Sequence, residues 1–321
     1  MAICSNTCRT LGVAITLALS AGAQAAAVAT AATVSASARY QNDAAGPNTL
    51  SHGDPGTAAI SATAGPGDAA FTLDQGTEVF DGAIARARSE IDSSLSTSSI
   101  GVYSHAGGYS PGFASPPDDV LANASVRWTL SFIVHSAPEV TSAQLNAELG
   151  IDGSLVAATF GGAHGVGDAY ASVAASLSTV SSFGSVNWVD ARATLDRFGG
   201  LDVSGPWASG FTLLSQNNAS IAYAEVLYHD TYLGLITVPT NEVFTYEIEL
   251  SSEAFVLGAF ENWAVADFFN TATFDLEVET PGLSLERIPT AVPLPAPIAL
   301  LLAPLALLGL AARRQSTRAS R

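Results

Sequence analysis

Apolar and polar residues alternate with a period of two over long parts of the chain, a pattern that predicts half-buried β-strands. In the segment SVRWTLSFIVHS, the apolar side chains Val126, Trp128, Leu130, Phe132 and Val134 fall on one face. The segments NEVFTYEIEL and NTATFDLEVET repeat the pattern, and their apolar faces hold Phe244, Tyr246, Ile248, Leu250, Ala272, Phe274, Leu276 and Val278. We expect such strands to bury one face in a core and to expose the other.

Other segments add further strands and the connections between them. TVSASARY, YASVAASLSTVS and VNWVDARATLDRF predict strands, as does GAIARARSEIDSSL, for which a short helix is the alternative. Asp152-Gly153 lies between two apolar runs and predicts a hairpin turn. The apolar run from Ala219 to Val238 predicts two strands with a break near His229-Asp230.

One predicted long loop and the predicted last strand complete the β-rich part of the chain. The stretch GPNTLSHGDPGTAAISATAGPGD is rich in Gly and Pro, which predicts a long loop. Asp267 to Glu279 is the predicted last strand, followed by a linker over residues 280–291.

About ten strands with polar outer faces and turn residues between them predict an all-β fold, an antiparallel β-sandwich over residues 26–279. A jelly roll is the first choice of topology. There is no fixed-period repeat that would indicate a propeller or a solenoid.

The charge of the chain narrows the range of partners. All 29 acidic residues and only seven of the arginines lie between residues 26 and 290, so this part carries a net charge of −22. A field of this sign repels phosphates, which excludes nucleic acid as a partner. Both cysteines, Cys4 and Cys8, lie near the N-terminus, so the predicted sandwich has no disulfide and no cysteine nucleophile.

The first 25 residues have the organisation of a secretory signal peptide. Arg9 provides a positive charge, Leu11 to Leu19 is an apolar run, and Ala23-Gln24-Ala25 fits the small-residue pattern of a cleavage site. The apolar run is too short to span a bilayer, which disfavours an uncleaved anchor. We therefore predict export through the Sec translocon and cleavage after Ala25.

The C-terminal segment predicts a membrane helix over residues 297–312. The 22 residues from Ala291 to Ala312 carry no charge, and Arg313 and Arg314 follow them. Arginines after an apolar segment stay in the cytoplasm, and the signal peptide exports what precedes it. Both ends therefore predict one topology, with the sandwich outside and the C-terminus inside.

The order of parts in this tail resembles a known class of sorting signal. Val292, Pro293, Leu294, Pro295 and Ala296 are followed by the apolar segment and the arginines, an arrangement similar to PEP-CTERM tails and closest to their VPLPA variant. The resemblance implies a Gram-negative, often exopolysaccharide-producing bacterium and an exosortase-like membrane protease that recognises the tail. It further implies a secreted protein, held briefly in the inner membrane and then passed to the cell surface or extracellular matrix.

The resemblance covers about 30 residues, and Pro304 and the residues after Arg314 depart from the usual pattern. The physical properties of the motif agree with processing, because two nearby prolines keep the backbone extended and accessible to a protease. The alternative is a plain single-pass anchor whose prolines end the linker.

Catalytic patterns are weak. Gly108 to Gly112 matches G-x-S-x-G, but the flanking segments predict loops, and Pro111 removes an N–H that an oxyanion hole would use. No metal-ligand spacing connects the histidines, which are His52, His105, His135, His164 and His229. We therefore predict no catalytic residue, no cofactor-binding residue and no enzyme.

Two weaker possibilities concern ligands. Asp118-Asp119 follows two prolines and would supply carboxylates to a calcium site, although no D-x-D-x-D-G ladder accompanies it. Trp188, Trp207 and Trp263 are alternatives for sugar stacking or for packing, and Trp128 falls on a predicted core face.

Three functions remain. The first is a non-catalytic protein of the cell surface or extracellular matrix, sorted by its tail. The second is a β-sandwich that binds polysaccharide, with calcium as a possible aid, and the third, remote alternative is a carbohydrate-active hydrolase or lyase.

Overall fold

The computed structural model describes residues 31–288, apart from 41–42, 54–55, 66–69, 73–77, 81, 92–97, 109–118, 161–166, 206–209, 219–220 and 259–261. In this part of the chain, regular structure consists of β-strands. The strands are β1 (Ala31–Tyr40), β2 (Asp43–His52), β3 (Gly56–Ala64), β4 (Ala70–Thr72), β5 (Glu78–Phe80), β6 (Gly82–Ile91), β7 (Ser99–Gly108), β8 (Asp119–His135), β9 (Ser142–Phe160), β10 (Gly167–Ser181), β11 (Gly184–Asp196), β12 (Leu201–Ser204), β13 (Phe211–Asn218), β14 (Ile221–Pro239), β15 (Val243–Gly258), β16 (Asn262–Val278) and β17 (Ser284–Ile288).

The strands form two large antiparallel sheets and one small hairpin, β4–β5. Sheet A has the order β12-β11-β10-β15-β8-β1-β2, and β17 pairs with the end of β8. Sheet B has the order β13-β14-β9-β16-β7-β6-β3. The predicted antiparallel β architecture is confirmed, and the two facing sheets are consistent with a β-sandwich. Within the described residues, no helix is long and apolar enough to span a membrane.

The core lies between the sheets and consists of the alternating apolar side chains. Trp128, Leu130 and Phe132 of β8 are fully buried, and so is Phe244 of β15, whose ring stacks on Phe132 at 5.7 Å. The ring of Tyr246 packs against Phe274 of the opposite sheet at 4.9 Å. The apolar faces predicted for β8 and β15 are therefore confirmed, and that of β16 is buried except for the half-exposed Val278.

Buried polar groups also connect the two sheets. The Ser104 hydroxyl of β7 donates to the backbone oxygen of Ser252 in β15 at 3.0 Å. The indole N–H of Trp128 donates to the Ser89 hydroxyl of β6 at 2.6 Å. Since a buried donor without a partner is costly, these bonds allow polar side chains to lie in an otherwise apolar core.

The predicted hairpin at Asp152-Gly153 and the predicted break at His229-Asp230 are wrong. Both positions lie inside continuous strands, β9 and β14, which pair along their full length with His229 opposite Asp152. The polar side chains point to solvent rather than forming turns. Gly153 serves close packing, because a Cβ at this position would overlap the Phe268 ring of β16.

The predicted Gly/Pro-rich loop is also wrong, because this segment forms β2 and β3. Both strands lie at sheet edges, where proline is tolerated because part of the backbone N–H row is unpaired. Gly46 has a φ of 89° at an irregularity in the pairing of β1 with β2, and a Cβ there would lie 2.6 Å from the Ala36 oxygen. Here glycine and proline shape an edge strand.

The predicted last strand corresponds to β16, and a further strand follows it along the chain. β17 lies inside the segment predicted to be a linker, and it pairs with the end of β8. The His135 ring Nε2 and the Glu286 carboxylate are 2.6 Å apart across this pair. Leu285 packs against the core, and this contact stabilises the pairing of β17 with β8. The segment GAIARARSEI is a strand, β6, as favoured over the short helix.

Candidate functional site

The outer face of sheet A carries an open trough. Two adjacent hollows of about 280 Å³ and 340 Å³ share Arg192 as a lining residue. They cross the strands β1, β8, β15, β10, β11 and β12. We call this feature the serine trough, and its outward-pointing residues are Ser35, Ser37, Asn123, Ser125, Ser172, Ala174, Arg192, Thr194, Asp202, Ser204, Ser251 and Glu253.

Strand register explains why these residues form one feature. Pairing of the six strands places the residues in two parallel rows across the sheet. One row is Asp202, Thr194, Ser172, Glu253, Asn123 and Ser37, and the next is Ser204, Arg192, Ala174, Ser251, Ser125 and Ser35. Most of these side chains are small, so the rows lie lower than their neighbours.

Larger side chains flank the trough on both sides. On one side, Tyr170 and Phe255 are cross-strand partners whose rings stack at 5.0 Å with an angle of 28°. On the other side, Glu249 pairs in register with Arg127. The depression therefore results from a change in side-chain size between neighbouring rows of one sheet face, because outward side chains stand roughly perpendicular to the sheet.

Glu253 is an acidic group in the middle of the trough, and Tyr170 holds it in place. The Tyr170 hydroxyl donates to Glu253 Oε1 at 2.7 Å. Burial, followed by this hydrogen bond to the carboxylate, raises the pKa of Tyr170 well above its ordinary value. Tyr170 therefore remains a donor at neutral pH, and Glu253 presents a carboxylate in a defined position.

Arg192 is the cation of the trough and differs from the other described arginines. Arg39 and Arg127 form ion pairs with Asp119 and Glu247 at 3.1 Å and 2.8 Å. The remaining arginines have partners too, since Arg86, Arg88 and Arg197 lie over the rings of Tyr103, Phe269 and Phe198, and Arg287 makes contacts of its own. Among the described side chains, no carboxylate pairs with the Arg192 guanidinium and no aromatic ring lies against it. The Arg192 side chain is exposed, and its guanidinium can donate up to five hydrogen bonds.

The centre of the outer face of sheet B carries large apolar side chains, unlike the serine trough of sheet A. Trp263 and Ile84 point outward from their strands but are only 8% and 9% exposed. Trp263 packs with Ala158, Val156, Tyr223 and Val265 in a second apolar cluster, separate from the main core. The Tyr223 hydroxyl donates to Glu225 at 2.6 Å beside this cluster. The outward side chains of Trp263 and Ile84 are therefore nearly as buried as the core, whereas most residues of the serine trough are half-buried or exposed.

His105 lies on the same outer face of sheet B, between Val265 and Ile84. Its Nδ1 is 3.2 Å from the Tyr103 hydroxyl. Burial of the imidazole lowers the pKa of His105 to about 4, and the nearby positive charge of Arg86 is the smaller cause of this shift. The imidazole is therefore neutral at physiological pH and belongs to the packed side of the molecule.

An acidic hollow of about 240 Å³ also lies on sheet B, between Asn146, Glu148, Leu233, Asp275 and Glu277. Glu148 and Asp275 are direct cross-strand partners. Within the described ranges, no group of three His, Cys, Asp or Glu side chains is arranged to hold a metal ion.

Among the described residues, the pair of Ser89 and His52 has a structural role. The Ser89 hydroxyl is 3.0 Å from His52 Nε2 and accepts the Trp128 indole N–H. His52 Nδ1 lies 2.9 Å from the Gly53 backbone oxygen, so Nδ1 donates there and Nε2 accepts from Ser89. Ser89 is 2% exposed and cannot be reached by a substrate.

Several predicted site residues lie outside the described residues. They are the cleavage residues Ala23 and Ala25, the sorting motif Val292 to Ala296, Arg313 and Arg314 with the membrane segment, and Tyr109 to Gly112 of the G-x-S-x-G match. Asp118, His164 and Trp207 also lie outside. Asp119, the second carboxylate of the calcium prediction, forms the ion pair with Arg39.

The remaining aromatic candidates are packed. Trp128 is fully buried, as predicted. Trp188 is half-buried, and its N–H donates to Thr179 at 2.9 Å, while Trp263 lies in the cluster on sheet B. The sequence interpretation missed Arg192, Glu253 and the serines of the trough. Outward-facing serines on several predicted strands were the available signal, but alternation does not show which strands are neighbours.

Comparisons with known proteins leave the family open. No protein-family model matches the chain, and no curated protein matches it. A solved structure described as a carbohydrate-binding module of the β-sandwich superfamily is 8% identical, with 76% of this chain and 84% of that chain covered and a TM-score of 0.12. A structure from the Gx strain of infectious bursal disease virus is 13% identical, with coverages of 88% and 72% and a TM-score of 0.11. Similarities this low carry no functional argument.

Proposed function

We propose that the chain is an exported, non-catalytic protein of the cell surface or extracellular matrix whose sandwich binds polysaccharide in the serine trough. The observation that carries the binding proposal is the trough itself. It is open to solvent and continuous across six strands, and its residues are mostly small and polar. We keep the jelly roll as the proposed topology of the sandwich.

The chemistry of the trough fits sugar hydroxyls. A serine hydroxyl both donates and accepts, an asparagine amide does both through separate atoms, and a sugar hydroxyl offers the same combination. Glu253 adds an oriented acceptor, and Arg192 adds donors. The stacked pair of Tyr170 and Phe255 adds apolar ring surface along one side. A polymer with many hydroxyls would meet complementary groups along the whole trough.

Affinity gel electrophoresis tests this binding. The full chain, kept in solution by a mild detergent, migrates through gels that contain one polysaccharide each. We expect at least one polymer to retard the chain, and Ser125→Tyr, which fills the trough, to remove the retardation. Thr237→Tyr adds the same side chain to an exposed position on sheet B and serves as the control. Equal retardation of Ser125→Tyr and the wild type would contradict the proposal.

Export and sorting form the second part of the proposal and depend on the two ends of the chain. We propose cleavage after Ala25, recognition of Val292 to Ala296 by an exosortase-like protease, and a temporary membrane stop at Arg313 and Arg314. Deletion of residues 292–321 is expected to leave the protein in the periplasm instead of at the cell surface. Unchanged localisation would contradict sorting by this tail.

Intact-mass measurement of the delivered protein separates processing from plain anchoring. Processing predicts that Ile298 to Arg321 is missing from the mass. A mass that includes the whole tail would favour the single-pass anchor.

A further inference from the structure

The charges around the serine trough restrict the class of polysaccharide. On the strands that form the trough, two arginines are paired with Asp119 and Glu247. On these strands Arg192 is then the remaining outward cation, and the remaining outward acids are Asp168, Asp190, Asp196, Asp202, Glu249 and Glu253. One cation against six acids gives these six strands a net outward charge of −5, which repels a polyanion.

The position of Arg192 argues against a single dedicated anion site. Its direct cross-strand neighbours are Ala174 and Ser204, while Asp190 and Thr194 flank it along β11. Asp202 pairs with Thr194, next to the pair of Arg192 and Ser204. A carboxylate ligand at the guanidinium would therefore also lie near the carboxylates of Asp190 and Asp202. A hydroxyl ligand would accept from the guanidinium without this repulsion, because it carries no charge.

The direction of the trough indicates how a polymer would lie. The two rows of small side chains run from β12 to β1, perpendicular to the strands. Six neighbouring strands at a spacing of about 4.8 Å give the rows a length of about 24 Å. The flanking rows, with Tyr170 and Phe255 on one side and Glu249 and Arg127 on the other, limit sideways placement.

We infer that the ligand of the serine trough is an uncharged polysaccharide that lies across the strands of sheet A. Glu253, held by Tyr170, accepts hydrogen bonds from its hydroxyls, and Arg192 donates to them. This inference rests on the proposed polysaccharide-binding function and adds the charge class and orientation of the polymer.

Polymers that differ mainly in charge test the inference. Suitable pairs are mannan with polymannuronate, and hydroxyethyl cellulose with carboxymethyl cellulose. Affinity electrophoresis of the full chain in mild detergent is expected to show retardation by a neutral member and none by its acidic counterpart. Added salt is expected to leave the binding of the neutral polymer unchanged, because no ionic attraction contributes to it.

Two substitutions locate the effect. Arg192→Gln removes charge-assisted hydrogen bonds and is expected to weaken binding of the neutral polymer about tenfold. Arg86→Gln makes the same change of charge on sheet B, where Arg86 lies over Tyr103, and is expected to leave binding unchanged.

The outcomes separate this inference from the broader function. Stronger binding of the acidic members, weakened by salt and by Arg192→Gln, would overturn the neutral class but would keep polysaccharide binding. If no polymer of either charge retards the chain, both the inference and the proposed binding function are overturned.

Discussion

The outer faces of the two sheets differ at their centres, although both are built from alternating strands. On sheet A the central outward positions hold mostly serine, and they form the open trough. On sheet B the corresponding region holds Trp263, Val265, His105 and Ile84, and its Trp and Ile are nearly as buried as the core. The same backbone pattern therefore supports an accessible polar surface on one side and a second apolar cluster on the other.

This difference shows that alternation alone does not identify the solvent-facing side of a strand. A polar outer residue such as Ser125, which is half-buried, and an apolar one such as Trp263, which is 8% exposed, occupy equivalent positions with respect to the main core. What differs is how closely the neighbouring side chains of the same sheet pack around them. The serine trough is therefore open to solvent, and the cluster on sheet B contributes to stability.

The largest expected effect comes from truncating the cluster on sheet B. Trp263→Ala removes a nearly buried indole and is expected to lower the free energy of unfolding by about 3–5 kcal/mol. Phe255→Ala, on the rim of the trough, loses one half-exposed aromatic stack and is expected to cost about 1 kcal/mol. Denaturant unfolding of both variants measures the contrast, and equal costs would show that the two faces are packed alike.

His105 provides a second difference between the faces, which appears as a dependence of stability on pH. Its pKa is lowered to about 4 in the folded protein, against 6.5 when unfolded. Between pH 6.5 and pH 4 the His105 imidazole binds a proton in the unfolded chain but stays neutral in the folded chain. The free energy of unfolding is therefore highest above pH 6.5 and falls as the pH is lowered towards 4. The loss of unfolding free energy caused by His105 is expected to reach about 3 kcal/mol at pH 4.

Chemical denaturation at a series of pH values checks this contribution. His105→Gln is expected to lose less stability than the wild type between pH 6.5 and pH 4. His229→Gln is the matched control, because the His229 side chain is 85% exposed and should behave as the wild type does. A pH profile of His105→Gln that parallels the wild type would show that His105 does not titrate as described.

Much of the fold was predictable because one face of each central strand is covered by the opposite sheet. The apolar side chains at every second position from Val126 to Val134 are buried, as the alternation predicts. The errors came from residues with a role that depends on the partner strand. Gly153 looks like a turn residue in isolation, whereas the structure uses it to let β16 approach, and Gly46 and Pro47 shape an edge strand.

The trough could be predicted only in part. Outward serines such as Ser125, Ser172 and Ser251 follow from alternation along three strands. Their meeting depends on the pairing of β10 with β15 and of β15 with β8, strands that are far apart in the chain. Arg192 had no signal in the sequence, because its importance comes from the absence of a partner among the described side chains.

The smallest expected effect concerns the ion pairs on sheet A. Arg127 and Glu247 are 2.8 Å apart, but their side chains are 55% and 31% exposed. Arg127→Gln is therefore expected to change the free energy of unfolding by less than about 1 kcal/mol. Thermal unfolding at low and high salt measures this, and a larger, salt-insensitive loss would mean that this face is packed more tightly than its exposure indicates.

Carboxyl footprinting tests most directly whether the ligand binds to sheet A rather than to sheet B. A carbodiimide and an amine label accessible carboxylates in the full chain, with and without the neutral polymer that retards it most. Bound polymer is expected to reduce labelling of Glu253 and Asp202 in the serine trough and to leave Glu148, Asp275 and Glu277 on sheet B unchanged. Protection of the carboxylates on sheet B, with unchanged labelling of Glu253, would contradict the account.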